Sequence, residues 1–491
     1  MSNDRLNNRH QRNIYKRIIV KGTLVLDTPT CLGSGDSDSL TDLALLRDSV
    51  DDDKALLTGA SIAGALRNYL HEYNPALGLA TSLFGGDRED DQGDQSPLIV
   101  NDSISNEKID IELRDGVKID GKTGTAMSKA KYDFELLSAG TEFPLFFELL
   151  IEEGKDENQL KQGLAIALSG FENGEIAIGI KKRRGFGRCH VKEWQVWEFD
   201  LKDNRQRLEW LNFEHWNRAL IQDYPTSTSI ADSLNMTIVD DKRDRFSITA
   251  KFSLVGSMLI RSAEYSEHKR PDAVHLKSKR NEKLENIISG TSLAGVLRHR
   301  AVRIVKTLDQ KLETQEGREP EIVEQIFGFV VEKQKLAQAS RLIVEEKVIE
   351  KTTELVQNRI AIDRFTGGAL HGALFDAQPI FSGEVELKLE LRNPQDYEIG
   401  LLLLLLKDLW TEDLPIGGES SIGRGRLKGK QANLNWRFDQ GKSEQEWEIK
   451  QTNISTNDLI IEVTKHKSET LSESDNLQGF VDALLEQLYQ E

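Results

Sequence analysis

The 491-residue sequence predicts an α+β protein built from two tandem copies of one domain, and three observations carry that expectation. Short landmarks recur in the same order along the two halves. Each half reads as strand, helix, strands, helix, strand. The composition, 38% apolar and 30% charged, is that of a globular chain, and the length exceeds what one core supports.

The landmarks fix the repeat. "GASIAGALRNYL" from Gly59 pairs with "GTSLAGVLRHRA" from Gly290. "LFG" at Leu83 pairs with "IFG" at Ile326, and Ile119-Asp120 pairs with Ile362-Asp363 at the identical offset. "GFGR" at Gly185 pairs with "GRGR" at Gly423. Order is kept while the offset drifts only slightly, as loop insertions produce. A period this long is a domain duplication, not a solenoid.

Each copy opens with a strand, "RIIVKGTLVLDT" from Arg17 and "FSITAKFSLVGS" from Phe246. A polar loop leads to a helix whose apolar residues recur at helical spacing: Ile62, Ala65, Leu66 and Tyr69, then Leu293, Val296, Leu297 and Ala301. Ser61 and Ser292 lie near its start, where a hydroxyl can cap free N–H groups. After a variable polar insertion come the Ile-Asp stretch, a strand ("TEFPLFFELLIEE", "GEVELKLELRN"), and a second helix over Gln159–Leu168 and Glu398–Trp410. A loop of glycines and basic residues follows. This order fits a ferredoxin-like sheet covered by helices. The expected boundaries are 1–200 and 244–432, with a polar connector at 201–243 and a non-repeating extension at 433–491. The extension ends in an amphipathic stretch with Phe480, Leu484 and Leu488, read equally as a docked helix or an exposed one.

Several function classes are excluded. Two cysteines, Cys31 and Cys189, supply neither a disulfide framework nor a multi-cysteine zinc site. With no N-terminal apolar stretch, and Leu401–Leu406 as the longest apolar run, the expectation is a cytoplasmic protein. His71, His190, His299 and His371 share no register between copies and no metal-ligand spacing. HExxH, CxxC and GxSxG are absent, and neither basic glycine loop continues directly into Gly-Lys-Ser/Thr.

What remains points to a phosphodiester backbone. The net charge is −17, yet cations cluster in "KKRRGFGR" (Lys181, Lys182, Arg183, Arg184, Gly185, Gly187, Arg188), "GRGRLKGK" (Gly423, Arg424, Gly425, Arg426) and "HKRPDAVHLKSKR" (Arg270, Lys277, Lys279, Arg280). Glycine allows close approach to a ligand, exposed N–H groups make a nest for phosphate, and arginine adds bidentate contacts. In the loop after the first strand, Asp42 precedes Leu43 and Asp272 precedes Ala273, an offset nearly in step with that of the helices. A carboxylate there could orient or deprotonate a 2′-hydroxyl, or hold one hydrated Mg²⁺ or Mn²⁺.

Taken together, "GASIAGALR", "LFG", "VKIDGKTGTAMSKAKYDFELLSAGTEF" and "KKRRGFGR", with "GTSLAGVLR", "IFG", "NRIAIDRFTGGALHGALFDAQPIFSGEVEL" and "GESSIGRGRLKG", resemble the RAMP superfamily of CRISPR-associated proteins. Specifically they resemble backbone subunits of type III effector complexes, and two such domains in one chain resemble the dual backbone subunit of type III-D systems. The resemblance implies RRM-like ferredoxin folds, each with a projecting thumb hairpin (about 100–137 and 341–376). It implies partners: CRISPR RNA, complementary target RNA, the large subunit of the complex and neighbouring RAMP backbone subunits. It implies RNA-binding roles for Ser61, Arg67, Ser292, Arg298 and the loop residues named above. It also implies catalytic and metal-binding roles for Asp42 and Asp272, each cutting target RNA with a divalent cation. Where the family's first loop reads Thr-Gly-Leu-His-Ile-Gly-Gly, this chain has "TPTCLGSG" and, in copy two, "LIRSAEY". Asp120 and Asp363 read as structural residues at the hairpin base. The alternatives are a non-catalytic RNA-binding scaffold and a metal-free CRISPR RNA-processing endoribonuclease.

Overall fold

The computed structural model describes residues 12–35, 41–86, 94–121, 123–262, 271–280, 283–309, 318–331, 335–437, 444–451, 461–466 and 477–490. The chain divides into two compact units. One comprises 1–112, 135–180 and 187–242; the other comprises 113–134, 181–186 and 243–491. The second unit therefore includes two short segments of the first copy.

In the first unit, β1 (Ile14–Leu26) leads to helix α1 (Gly59–Tyr73) and the short β2 (Leu98–Val100). A hairpin of β3 (Ile111–Ile119) and β4 (Ala126–Leu137) interrupts the domain before β5 (Glu142–Glu152), α2 (Glu157–Glu172) and β6 (Cys189–Asp200). The sheet order is β2-β5-β1-β6, antiparallel throughout. The second unit repeats the plan. It runs β7 (Arg245–Val255), β8 (Ala273–Val274), α3 (Gly290–Leu308), β9 (Leu342–Val344), the hairpin β10 (Gln357–Ile362) and β11 (Ala369–Gln378), then β12 (Glu384–Arg392), α4 (Asp396–Trp410) and β13 (Arg426–Arg437). The sheet begins β9-β12-β7-β13 in the same antiparallel order and is extended by β14 (Gln445–Gln451) and β15 (Ile461–His466). In both copies the outer strands flank the first and third with helices in the two crossovers, the ferredoxin-like arrangement. The thumb stretches contain the hairpins.

Strand β7 shows why the sheet has a core face. Phe246, Ile248, Ala250, Phe252 and Leu254 are buried in alternation, and Ser247, Thr249 and Lys251 are not. Strand β1 is buried on both faces. Ile18, Val20 and Leu24 pack under α1 and α2, while Ile19 joins Phe146 and Phe199 on the far side, under Trp210 and Phe213. There Lys21 is wholly buried, with its ammonium 5.1 Å from the Phe213 ring and 5.4 Å from the Trp197 ring, and it donates to the Asn217 carbonyl at 2.6 Å. The connector is thus part of the first unit. It carries two short helices, Asn204–Leu211 and Ile230–Ser233, and covers the far face of the sheet.

The C-terminal helix α5 (Leu477–Gln490) docks on its own chain. Phe480, Leu484 and Leu488 are buried in the second core, and Trp436 and Trp447 meet the Phe480 ring edge-on at 5.5 and 5.9 Å. Burying each side chain stabilises by roughly 1.5–3 kcal/mol. Gly400 on α4 makes the crossing possible, since a Cβ there would lie 2.1 Å from the Phe480 carbonyl oxygen. Among the described residues no helix is long and apolar enough to cross a membrane.

The loop after β7 is pinned by His275. Its buried ring accepts from the Ile260 N–H at 3.2 Å on Nδ1 and donates to the Ile287 carbonyl at 3.1 Å from Nε2, which requires the neutral form. Burial accordingly lowers its pKa from 6.5 to about 4.

Two outcomes follow. Gly400→Ala, which in an open helix would gain about 1 kcal/mol, should instead destabilise by about 1–3 kcal/mol through overpacking. Limited proteolysis should then release 477–490 faster; an unchanged cleavage rate would refute the close crossing. For His275 the folded pKa lies below the unfolded one, so the unfolded chain binds more protons between about pH 6.5 and 4. The stabilisation, on the order of 3 kcal/mol, is complete above that window and lost as pH falls through it. Thermal melts of His275→Gln should be lower at pH 7.5 and flatter between pH 6.5 and 4; a slope equal to wild type would contradict the assignment.

Candidate nucleic-acid interface

The two glycine loops share one backbone. Lys181 is left-handed at φ 56°, Lys182–Arg184 form a 3₁₀ turn, and Gly185 and Gly187 follow at φ 85° and 75°. Glu419 (φ 61°), the turn Ser420–Ile422, Gly423 (φ 87°) and Gly425 (φ 81°) repeat this in the second copy. A Cβ on Gly187 would lie 1.8 Å from the Ile178 carbonyl oxygen, and one on Gly425 2.0 Å from that of Ile416. Only glycine fits either position. Arg188 donates to the Gly174 carbonyl at 3.3 Å and Arg426 to the Glu412 carbonyl at 3.2 Å, again equivalent positions.

The shape repeats; the charge does not. Where the first loop has Lys181, Lys182, Arg183 and Arg184, the second has Glu419, Ser420, Ser421 and Ile422. In the first, Lys182 is exposed and Arg183 half-buried. Arg184 Nη1 is buried with no hydrogen-bond partner among the described residues. Desolvation, with the like charge of Arg298, pulls its guanidinium down to about 10. An anion brought to this loop would relieve both strains. In the second loop Arg426 is exposed, but Arg424 is only 3% exposed, with Nε 3.2 Å from Glu419 and an Nη bonded to Gln357 at 2.6 Å.

Several other candidate cations also have internal partners. Arg280 and Arg114 share the fully buried Glu346 carboxylate, and Lys277 pairs with Glu354 at 2.7 Å. The Lys279 carbonyl accepts from Arg280. Arg298 pairs with Glu319 at 2.7 Å, and its counterpart Arg67 donates to the Gly85 carbonyl at 3.1 Å. Ser61 and Ser292 are not the helix caps. Thr58 and Ser289, three residues earlier, accept their N–H groups, and each hydroxyl meets that of its cap, at 2.9 and 2.8 Å. Arg270 lies outside the described residues.

Asp42 and Asp272 each precede a residue lying along the hairpin strand of their own copy. The Leu43 carbonyl accepts from the Glu135 N–H at 3.0 Å, and the Glu135 carboxylate accepts from the Leu45 N–H at 3.2 Å. Ala273–Val274 run parallel to Ala377–Gln378. Glu135 and Gln378 are separated by the same offset as the Ile-Asp pairs, so the two aspartates reach the same register. A second carboxylate has no obvious signature in sequence: Asp376 accepts from the Asp272 N–H at 2.7 Å and its own N–H donates to Asp272 at 3.1 Å. Its counterpart in sequence is Asp133, and the matched "YDF" and "FDA" hold the signal. Among the described residues no three His, Cys, Asp or Glu side chains gather as a metal cage. A single carboxylate can hold one mostly hydrated Mg²⁺.

Asp120 and Asp363 sit at the hairpin tips, not the bases. Asp363 Oδ1 accepts from the N–H groups of Phe365 and Thr366, at 2.9 and 2.8 Å, and Asp120 Oδ1 from that of Thr123 at 3.0 Å. These bonds hold the turns between β3 and β4 and between β10 and β11. The second turn presents Phe365, which is 98% exposed.

No curated protein matches the chain. The family profile described as the RAMP superfamily matches twice, over residues 23–190 and 251–428. Each match runs from within the first strand of its copy to the start of the last crossover's strand, taking in the hairpin and the glycine loop, and together the two cover more than half of the sequence. The chain belongs to the RAMP superfamily, as a fusion of two RAMP regions, which makes it a CRISPR-associated RNA-binding protein.

Proposed function

We propose that the chain is the dual-domain backbone subunit of a type III CRISPR effector complex of the type III-D kind, working in the cytoplasm. It binds CRISPR RNA through its glycine loops and cleaves complementary target RNA at two places, one per domain. The observation that carries this reading is the shared register of Asp42 and Asp272, each beside the thumb strand of its own copy. Two such sites at equivalent places on two RNA-binding domains would give two cuts.

In the reaction the target's 2′-oxygen attacks the adjacent phosphorus while the 5′-oxygen departs. The products are a 2′,3′-cyclic phosphate and a 5′-hydroxyl. Asp42 or Asp272 accepts the 2′-hydroxyl proton, and the leaving oxygen takes a proton from water. A hydrated Mg²⁺ or Mn²⁺ beside the same aspartate would supply positive charge to the phosphate. Loop cations and backbone N–H groups hold the RNA by its phosphates and leave guide bases free to pair.

Neighbouring RAMP subunits fit the same reading. In the second unit the first glycine loop packs on the start of α3, where a Cβ on Gly290 would lie 2.1 Å from the Arg184 carbonyl oxygen. The start of α1 in the first unit, where Ala60 and Ser61 are exposed, and the exposed Ile422 of the second loop would be the matching surfaces for another RAMP subunit on either side.

Assembled complexes carrying Asp42→Asn, Asp272→Asn or both should each retain RNA. Each single substitution should slow formation of one product by about 10²-fold or more, as loss of a general base does. The double substitution or EDTA should remove both. Persistence of every product in the double variant would make the chain a scaffold, and robust cleavage in EDTA would favour a metal-free endoribonuclease.

A further inference from the structure

Each thumb is joined to the glycine loop of its own copy, and the two joins use opposite charges. In the first, Lys181 lays its ammonium over the rings of Tyr132 and Phe134, 4.2 and 3.8 Å from their centroids, and donates to the Tyr132 hydroxyl at 3.0 Å. Phe186 meets Phe134 edge-on at 5.8 Å. Gly116, on the facing strand, leaves room for the Tyr132 ring, which a Cβ there would approach to 2.1 Å.

The equivalent residues of the second copy are Glu419 for Lys181, Phe375 for Tyr132, Ala377 for Phe134, Arg359 for Gly116 and Arg424 for Phe186. Glu419 accepts from Arg359 at 2.9 and 3.0 Å and lies 3.2 Å from Arg424 Nε. Arg359 also lies over the Phe375 ring, 5.5 Å from its centroid. A cation on two aromatic rings has become a carboxylate between two guanidiniums. Five positions differ together, and the join between loop and hairpin is present in both.

Glu419 at this position would repel a phosphate, and the Lys181 ammonium is already taken up by two rings and a hydroxyl. What the two residues have in common is the left-handed backbone, at φ 56° and 61°, and the contact to the thumb. A non-glycine residue held there is strained, and the thumb contact offsets that strain in each copy.

We propose that Lys181 and Glu419 are thumb-positioning residues, not RNA ligands, and that the two joins are chemically orthogonal, so each loop holds only its own thumb. This extends the proposed function, in which the joins keep each thumb fixed to the loop that grips RNA.

Hydrogen exchange on the full chain, without RNA, tests this. Glu419→Gln and Glu419→Lys should speed exchange in 357–376 by about tenfold or more by raising local opening, with 113–134 unchanged. Lys181→Glu should do the converse. Transplanting the first join into the second copy (Glu419→Lys, Arg359→Gly, Phe375→Tyr, Ala377→Phe, Arg424→Phe) should restore protection of 357–376, which a merely destabilised variant would not show. The proposal is overturned if Lys181→Glu leaves exchange in 113–134 unchanged, or if the transplant leaves 357–376 as fast as Glu419→Lys alone. Because the readout needs neither RNA nor cleavage, it stands apart from the test of the two aspartates.

Discussion

The glycine loops depend on one close backbone approach. Gly187 against the Ile178 carbonyl, and Gly425 against that of Ile416, leave no space for a side chain, so the chain must turn tightly there with positive φ. That turn places Gly185 and Gly423, sets the 3₁₀ turns before them, and directs Arg188 and Arg426 to the carbonyls that follow the second helices. With the backbone shape fixed by glycine, the side chains between were free to change from Lys-Arg-Arg to Ser-Ser-Ile. A basic loop and a polar one therefore share a single geometry.

Around these loops the two copies solve different burial problems. The first has aromatic residues on the far face of its sheet, and the segment after β6 folds over them, with Lys21 held between Trp197 and Phe213. The second leaves that face polar and enlarges its sheet with β14 and β15, while α5 closes over α4 through Gly400. The duplicated strand order survives both changes.

Much of this is legible in the sequence. Order-preserving landmarks reveal the duplication, and helical spacing around Ile62 and Leu293 reveals the covering helices, because core periodicity is a local signal. The pairing of Asp42 with Asp272 is readable from spacing alone. What is not legible depends on partners distant in sequence. Arg424 looks like a surface arginine until Glu419 and Gln357 enclose it, and Arg280 until Glu346 does. Lys181 looks like a phosphate ligand until Tyr132 and Phe134 come beneath it. Ser61 and Ser292 look like caps, yet a hydroxyl three residues upstream serves as well and takes the role. Asp120 and Asp363 look like hairpin-base residues because strand length, not motif, decides where the turn falls.

The central claim is that RNA is gripped by its backbone at two equivalent loops. Its most direct test is the salt dependence of binding by the full chain to two RNAs of unrelated sequence. The account predicts equal affinities for the two RNAs. It also predicts that replacing Lys182 and Arg183 by alanine makes log K against log salt shallower, by about 0.7 for each phosphate no longer neutralised. A strong preference for one sequence, or a slope that does not change, would contradict it.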